Sequence, residues 1–265
     1  MERPADRILD AFASNHLIES LSAADPSFDE PRAYDVAAEV HARRMERGEQ
    51  PVGRKIGFTN RTLWPQFDIW APIWGWIYDS TVSYVRGGEA RVAVEHLLQP
   101  RIETEIQLHF ATAPPVTRDE DELLACVDWI ALGFEIVQCP YPDWRFSAAD
   151  AIAAFAHHGA LVVGEPVPVA DIDDCAAKLR EFTVELSRDG RPALTGAGAN
   201  VLDSPLAAFG HLSEVLAARP EAPAIRAGEL VTTGTLTDVP PVEPGATWSV
   251  RALGLELPES SLTIE

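Results

Sequence analysis

Arg101–Phe110 reads RIETEIQLHF, and the fold is decided by how this stretch is read. Ile102, Thr104, Ile106, Leu108 and Phe110 alternate with Glu103, Glu105, Gln107 and His109, the period of two of a strand with one apolar and one polar face. Glu103 and Glu105 therefore project to the same side. Two carboxylates at i and i+2 repel each other unless water or a cation screens them, and a hard divalent cation is a common partner for such a pair. A solvated strand face is the alternative reading of this segment alone.

Further along, Trp129–Val137, WIALGFEIV, is almost continuously apolar but holds Glu135 at its centre. The pattern predicts a strand buried on both faces, and a buried carboxylate there needs a compensating partner, either a metal ion or an arginine. Three carboxylates with only oxygen to offer, and no Cys or His at zinc-like spacing nearby, favour Mg²⁺ or Mn²⁺ over Zn²⁺. Between the two strands, TRDEDELLACVDW predicts an acidic helix, making a strand, helix, strand crossover whose direction the sequence leaves open.

Working back toward the N-terminus, Lys55 lies in PVGRKIGFTN, a short strand with glycines on either side. LWPQFDIWAPIWGWIYDS then crowds Trp64, Phe67, Trp70, Trp74, Trp76 and Tyr78 among prolines and a glycine, a pattern that fits a core-covering loop or a pocket wall better than a regular helix. Asp79 ends that run. Earlier still, the apolar spacing over residues 4–20 and again from Glu30 to a stop at Gly48 predicts two helices. This divides the chain into a helical extension at 1–50 and a principal domain at 51–265.

Toward the C-terminus, Ser147 and Asp150 form a capping-box pattern ahead of an apolar helix, Ala148–His157, that Gly159 stops. His157 and His158 at its end read as a cap favoured by the helix dipole or as a catalytic pair. Asp189-Gly190 marks a hairpin turn, Ser204-Pro205 starts a helix running to Leu216, and LVTTGTLTDVPPV and TWSVRALGLEL read as strands. Thr233, Thr235 and Thr237 line either a polar pocket or an exposed strand face.

A formal charge of −20 over 265 residues argues against nucleic acid and anionic membrane surfaces, both of which need a basic footprint. Cys126, Cys139 and Cys175 are odd in number and lack a CxxC spacing, as expected of reduced thiols in a cytoplasm. The N-terminal residues show no signal-peptide pattern and no window resembles a membrane span, so a soluble cytoplasmic protein is expected.

Taken in order, GRKIGFTN, LLQPRIETEIQLHF, GFEIVQC, DWRFSAAD, GAGANVLDSPLAAFGHL and RAGELVTTGTLT resemble the successive landmarks of the 2-keto-4-pentenoate hydratase and 4-oxalocrotonate decarboxylase group of the fumarylacetoacetate hydrolase superfamily. The likeness runs from about residue 50 to the C-terminus. It implies an α+β protein with a mixed β-sandwich or β-roll core and short helices, usually a homo-oligomer. It also implies a Mg²⁺ or Mn²⁺ site on Glu103, Glu105 and Glu135, with catalytic roles for Lys55 and Asp79 and a substrate pocket in which Gln99, Trp76, Phe155 and Thr235 are the expected contacts. The implied reaction is hydration of a 2-hydroxydienoate to a 4-hydroxy-2-oxo acid, as in aromatic meta-cleavage catabolism. Decarboxylation of a 2-oxo-dicarboxylate and C–C hydrolysis of an acylpyruvate are the alternatives, and a non-catalytic binding protein is the reading from another class. One departure stands out: where family hydratases carry an ADNAS-like segment, this chain has Ala153-Ala154-Phe155-Ala156-His157, which opens a proton-transfer role for His157.

Overall fold

A computed structural model of the chain describes residues 3–219 and 222–265; the first two residues of the expected extension lie outside it. Three helices come first, α1 (Pro4–Ser14), α2 (Leu21–Ala24) and α3 (Glu30–Glu46). Pro4 opens α1, where a missing N–H costs nothing, and Asn15 closes it in the left-handed region at φ 51°. The Asp29 side chain caps α3 by accepting from the Arg32 N–H. These helices are not a detached unit. Ile8, Leu9, Tyr34 and Val40 belong to the same buried cluster as the sheet residues Ile106 and Phe134, and the Asp150 carboxylate accepts hydrogen bonds from Ser22.

The strands are β1 (Pro51–Gly57), β2 (Ile73–Tyr78), β3 (Val82–Tyr84), β4 (Glu89–Val92), β5 (Arg101–Phe110), β6 (Val127–Val137), β7 (His158–Val163), β8 (Val167–Pro168), β9 (Thr183–Arg188), β10 (Arg191–Ala197), β11 (Leu230–Thr232), β12 (Thr247–Leu253) and β13 (Ser260–Ile264). Eight of them make a mixed sheet in the order β2-β1-β11-β5-β6-β7-β3, with β8 beside β6; the other five make a second sheet, β10-β9-β12-β13-β4. The Ser260 hydroxyl, buried between the sheets, donates to the Leu132 carbonyl at 3.1 Å, and Trp248, Val250 and Leu262 fill the second sheet's inner face. The chain is therefore α+β with a two-sheet core and short helices.

Several expectations change in detail. The segment between β5 and β6 holds only the short helix Glu120–Leu124, and the two strands pair antiparallel, so they form a long hairpin and not a crossover. The capping box at Ser147 and Asp150 is made in both directions, but its helix ends at Ala153. Phe155, Ala156 and His157 follow in a tight turn at φ 56°, 50° and 65°, a conformation that breaks the helix and forbids the histidine cap. The aromatic run is part short helix, Trp64–Phe67, and part strand, β2. Only Leu230–Thr232 of the threonine-rich stretch is a strand, and β13 is an element the periodicity did not announce. The hairpin at Asp189-Gly190 joins β9 to β10, with both turn residues at positive φ.

Candidate active site

The register of the large sheet assembles the site. Glu103 pairs with Glu135 and Glu105 with Gly133 across β5 and β6, and residues opposite each other in a sheet share a face. β11 enters between β1 and β5, parallel to the first and antiparallel to the second, bringing Lys55 level with Thr232 and Thr232 level with Gln107. Three carboxylates and one ammonium therefore converge in the core. Oxygens of Glu103, Glu105 and Glu135 lie within 4.8 Å of one another, and Lys55 Nζ is 3.2 Å from Glu135 Oε2 and 3.6 Å from Glu103 Oε2.

Each carboxylate is held differently. Glu105 Oε2 accepts the Gly234 N–H at 2.7 Å, while Glu105 Oε1 is buried without a partner. Gly234 is at φ +97°, and a Cβ there would stand 2.0 Å from Thr59 Oγ1, so only glycine brings its N–H to this place. Glu135 Oε1 is 2.8 Å from His158 Nδ1, and His158 Nε2 is 2.8 Å from the Thr81 hydroxyl. Burial lowers the His158 pKa against the pull of Glu135. Glu135 accepts from Nδ1 of the neutral ring, whose other nitrogen lies against the Thr81 hydroxyl that also donates to the Tyr78 carbonyl.

The electrostatics favour a cation. Burial alone favours a neutral Lys55, but the attraction of Glu135, then Glu103 and Glu105, outweighs it and holds the ammonium above its ordinary pKa. Burial, with the charges of Glu135 and Glu103, pushes the Glu105 carboxyl well above the usual range, whereas Lys55 and the His158 hydrogen bond overcome burial and pull Glu135 below it. One ammonium does not neutralise three carboxylates in a dry site, so either a carboxyl stays protonated or a divalent cation enters. The orphaned Glu105 Oε1 and the all-oxygen donor set fit Mg²⁺ or Mn²⁺.

The other expected residues are placed unevenly. His157 stands beside the cluster within a wall of rings, 4.4 Å from Phe146 and 5.2 Å from Trp144 between centroids, and the wall continues through Phe67 to Phe58. Neither of its nitrogens has a partner. Burial, and then the Lys55 charge, pushes its pKa down to about 3. Thr235 sits in the loop after Gly234, where its hydroxyl donates to the Thr237 carbonyl. Gln99 is occupied elsewhere, donating to the Cys139 and Tyr141 carbonyls and accepting from the Asp143 N–H.

Three more are not brought to the cluster. Lys55 is level with Gly75 on β2, so Asp79 lies four residues further along, roughly 13 Å at strand rise. It is exposed and accepts the N–H groups of Gln50 and Ser80. Trp76 is level with Arg54 and so faces the other side of the sheet. The Phe155 ring packs on that side too, against Phe12 and Tyr78. His158 is the site residue that sequence reasoning undervalued. Its only signal was its place in a histidine pair immediately before a strand.

No family model matches the chain. Among proteins of known activity, a 4-oxalocrotonate decarboxylase from Pseudomonas sp. (strain CF600) is 31% identical over 255 residues, covering 95% of this chain and 92% of the relative. A 2-hydroxyhexa-2,4-dienoate hydratase from Comamonas testosteroni is 28% identical over 248 residues, covering 92% and 90%. Among solved structures, the 4-oxalocrotonate decarboxylase from Pseudomonas putida G7, complexed with magnesium and adipate, superposes with a TM-score of 0.89 at 28% identity, covering 99% of this chain and 96% of that one. The fumarylpyruvate hydrolase of Pseudomonas aeruginosa, in complex with Mn²⁺ and pyruvate, shares the fold alone: TM-score 0.61, 16% identity, 80% and 88% coverage.

The two-sheet core is thus the fold of the 4-oxalocrotonate decarboxylase, shared in outline with the fumarylpyruvate hydrolase. By sequence, the chain belongs to the 2-keto-4-pentenoate hydratase and 4-oxalocrotonate decarboxylase family and is an enzyme.

Proposed function

We propose that this enzyme is a divalent-metal-dependent hydratase that converts a 2-hydroxydienoate, through its 2-oxo-enoate tautomer, to a 4-hydroxy-2-oxo acid. The observation that carries the reading is the buried cluster itself: three glutamates, one of them with an orphaned oxygen, facing a lysine held in its charged form. Glu103, Glu105 and Glu135 would hold Mg²⁺ or Mn²⁺, which supplies Lewis-acid polarisation of the 2-oxo group when bound.

The chain's own residues do the rest. Tautomerisation takes a proton from the 2-hydroxyl and delivers one to C5; hydration then places a hydroxyl on C4 and a proton on C3. Lys55 Nζ is the charged acid within the cluster and is assigned the proton delivery to carbon. His158 and Thr81 fix the orientation of Glu135. The rings from Phe58 to Trp144 wall off water and take the hydrocarbon tail, and His157, neutral and without hydrogen bonds, belongs to that wall and not to the proton path.

A second reading, decarboxylation of a 2-oxo-dicarboxylate, is favoured by one observation. Arg101 shares the face of Glu103, two residues away, with its guanidinium 4.7 Å above the Trp144 ring, a cation suited to a second carboxylate. Incubation with a 2-hydroxydienoate and, separately, a 2-oxo-dicarboxylate separates the two. A 4-hydroxy-2-oxo product from the first supports hydration, whereas CO₂ from the second with no hydration of the first replaces it with decarboxylation.

The same reading makes the enzyme a cytoplasmic homo-oligomer acting on a small 2-oxo acid. Three free thiols at Cys126, Cys139 and Cys175 support the compartment, and a Trp70 side chain 74% exposed supports contact with a second copy. Among the described residues no helix is long and apolar enough to cross a membrane. Sedimentation at several concentrations tests the assembly.

A further inference from the structure

Beside the carboxylate cluster stands a cation with nothing to pair with. Arg101 opens β5 on the face of Glu103 and is half-buried. Its guanidinium carries N–H donors and no acceptor, and among the described residues none of them meets a carboxylate or a carbonyl; the contact it makes is with the Trp144 ring, 4.7 Å from the centroid. The chain has a net charge of −20, and Arg3, Arg43, Arg61 and Arg118 all find acidic partners in it. An arginine left without one, two residues from Glu103, is therefore a matter of placement and not of shortage.

The surroundings hold it there. The backbone of Arg101 is tied on both sides, to Val137 of β6 and to Pro241. Trp144 is anchored by its Nε1, which donates to the Gln99 carbonyl at 3.1 Å, while the Gln99 side chain donates to the Cys139 and Tyr141 carbonyls and accepts from the Asp143 N–H. Asp143 and Trp144 both sit at φ 56°, a left-handed conformation that costs free energy and persists only where the surroundings enforce it. This turn keeps an indole under the guanidinium. Stacking occupies the face of the fork and not its N–H edges, and a free fork matches the two oxygens of a carboxylate.

We propose that Arg101 reads a second carboxylate at the far end of the substrate, so that this enzyme prefers dianionic 2-oxo acids to monoanionic ones of the same length. The strand sets the scale: Arg101 stands two residues from Glu103 on one face, about 7 Å at strand rise, a separation that a diacid with a short carbon chain spans. Phe146 and His157 continue the Trp144 wall, and the carbon chain between the two ends lies against it. The proposal rests on the reading of the cluster as a 2-oxo acid site. For the hydratase it narrows the 2-hydroxydienoate to one with a carboxylate at its other end.

Isothermal titration of the Mg²⁺-saturated enzyme with 2-oxohexanedioate and with 2-oxohexanoate tests it; the two differ only in the terminal carboxylate, and neither has a double bond to hydrate. The dicarboxylate should bind at least about tenfold tighter, the scale of a charge-assisted hydrogen-bonded pair. Arg101→Met, whose stem still covers the Trp144 ring, should bring the ratio of the two affinities to about one. Arg101→Lys keeps the charge without the fork and should retain part of the preference; it decides the matter if the methionine variant does not fold. Equal affinities in the native enzyme overturn the proposal. So does a ratio that survives at its native value in either variant, since a structural arginine would weaken both ligands together. If neither acid binds, the cluster is not a 2-oxo acid site, and the reading beneath falls with the proposal.

Discussion

Arg54 and Lys55 are adjacent cations on β1, 0% and 3% exposed, and they are kept in the core by opposite means. Lys55 faces three carboxylates, whose combined attraction overrides desolvation and raises its pKa. Arg54 faces indole rings and one carboxylate, and there desolvation wins over Glu229, pushing the guanidinium down to about 10. It remains charged at neutral pH because arginine starts so high. The lesson concerns surplus: the Lys55 face has more negative charge than its ammonium can neutralise, whereas the Arg54 face covers its cation with π-electrons and leaves donors unused. One face is built to accept a further cation; the other holds its own between an indole and a carboxylate.

The sharpest way to break this contrast is Glu105→Gln. It should abolish Mg²⁺ and Mn²⁺ binding and turnover while the fold persists, since the amide oxygen still accepts the Gly234 N–H. Calorimetry showing an unchanged metal affinity would remove the cluster from consideration. Next comes Lys55→Met, expected to leave metal bound but slow turnover by about two to four orders of magnitude, the scale of losing a general acid; single-turnover kinetics with metal saturating gives the number. A smaller effect is expected of His158→Ala, which strips Glu135 Oε1 of its partner and should weaken metal affinity by about 10- to 100-fold, as loss of an outer partner to a ligand does. Wild-type affinity in that variant would make the histidine a packing residue.

The smallest effect probes the aromatic face. His41 stacks on Trp76 at 4.2 Å and bonds the Tyr78 hydroxyl, and burial, with the charges of Arg54 and Arg44, pushes its pKa down to about 4. In the unfolded chain a histidine titrates near 6.5. Between about 6.5 and about 4 the unfolded state therefore binds more protons than the native one, so the contribution of His41 is complete above that window and is lost as pH falls through it. Because the ring is partly solvated the effect is small. Melting curves from pH 7 to pH 4 should decline less steeply in His41→Phe than in the native protein, and identical slopes would assign the acid sensitivity to other groups.

Much of the site was legible because strands impose simple rules. The period of two put Glu103 and Glu105 on one face, and an ionisable residue inside WIALGFEIV had to find compensation. What could not be read was which distant strand would lie beside them. Lys55 reaches Glu135 only because β11, far along the chain, inserts between β1 and β5. Local order misled at Asp79 and Trp76: both neighbour the site in sequence, but strand length carries one to the far end of β2 and strand alternation turns the other to the opposite face. The two histidines were misjudged together because a helix was expected to continue as far as His157 and end on the pair. Three successive positive φ values place His157 among rings and leave His158 to open β7, where its pairing with β6 delivers it to Glu135.

The fixed phase of β1 has an evolutionary consequence. Gly53 sits so close to β11 that a Cβ would lie 2.0 Å from the Leu230 carbonyl oxygen, and a bulge against β2 falls between Pro51 and Gly53. Together they pin the strand's register. A one-residue insertion or deletion just beyond Gly53 would send the lysine to the indoles and the arginine to the glutamates in one step, because a shift by one exchanges the faces of a strand. Substitutions can adjust either face separately, but this segment cannot drift in length by single residues without losing both, so length variation among descendants of this chain belongs in the loops on either side of the strand.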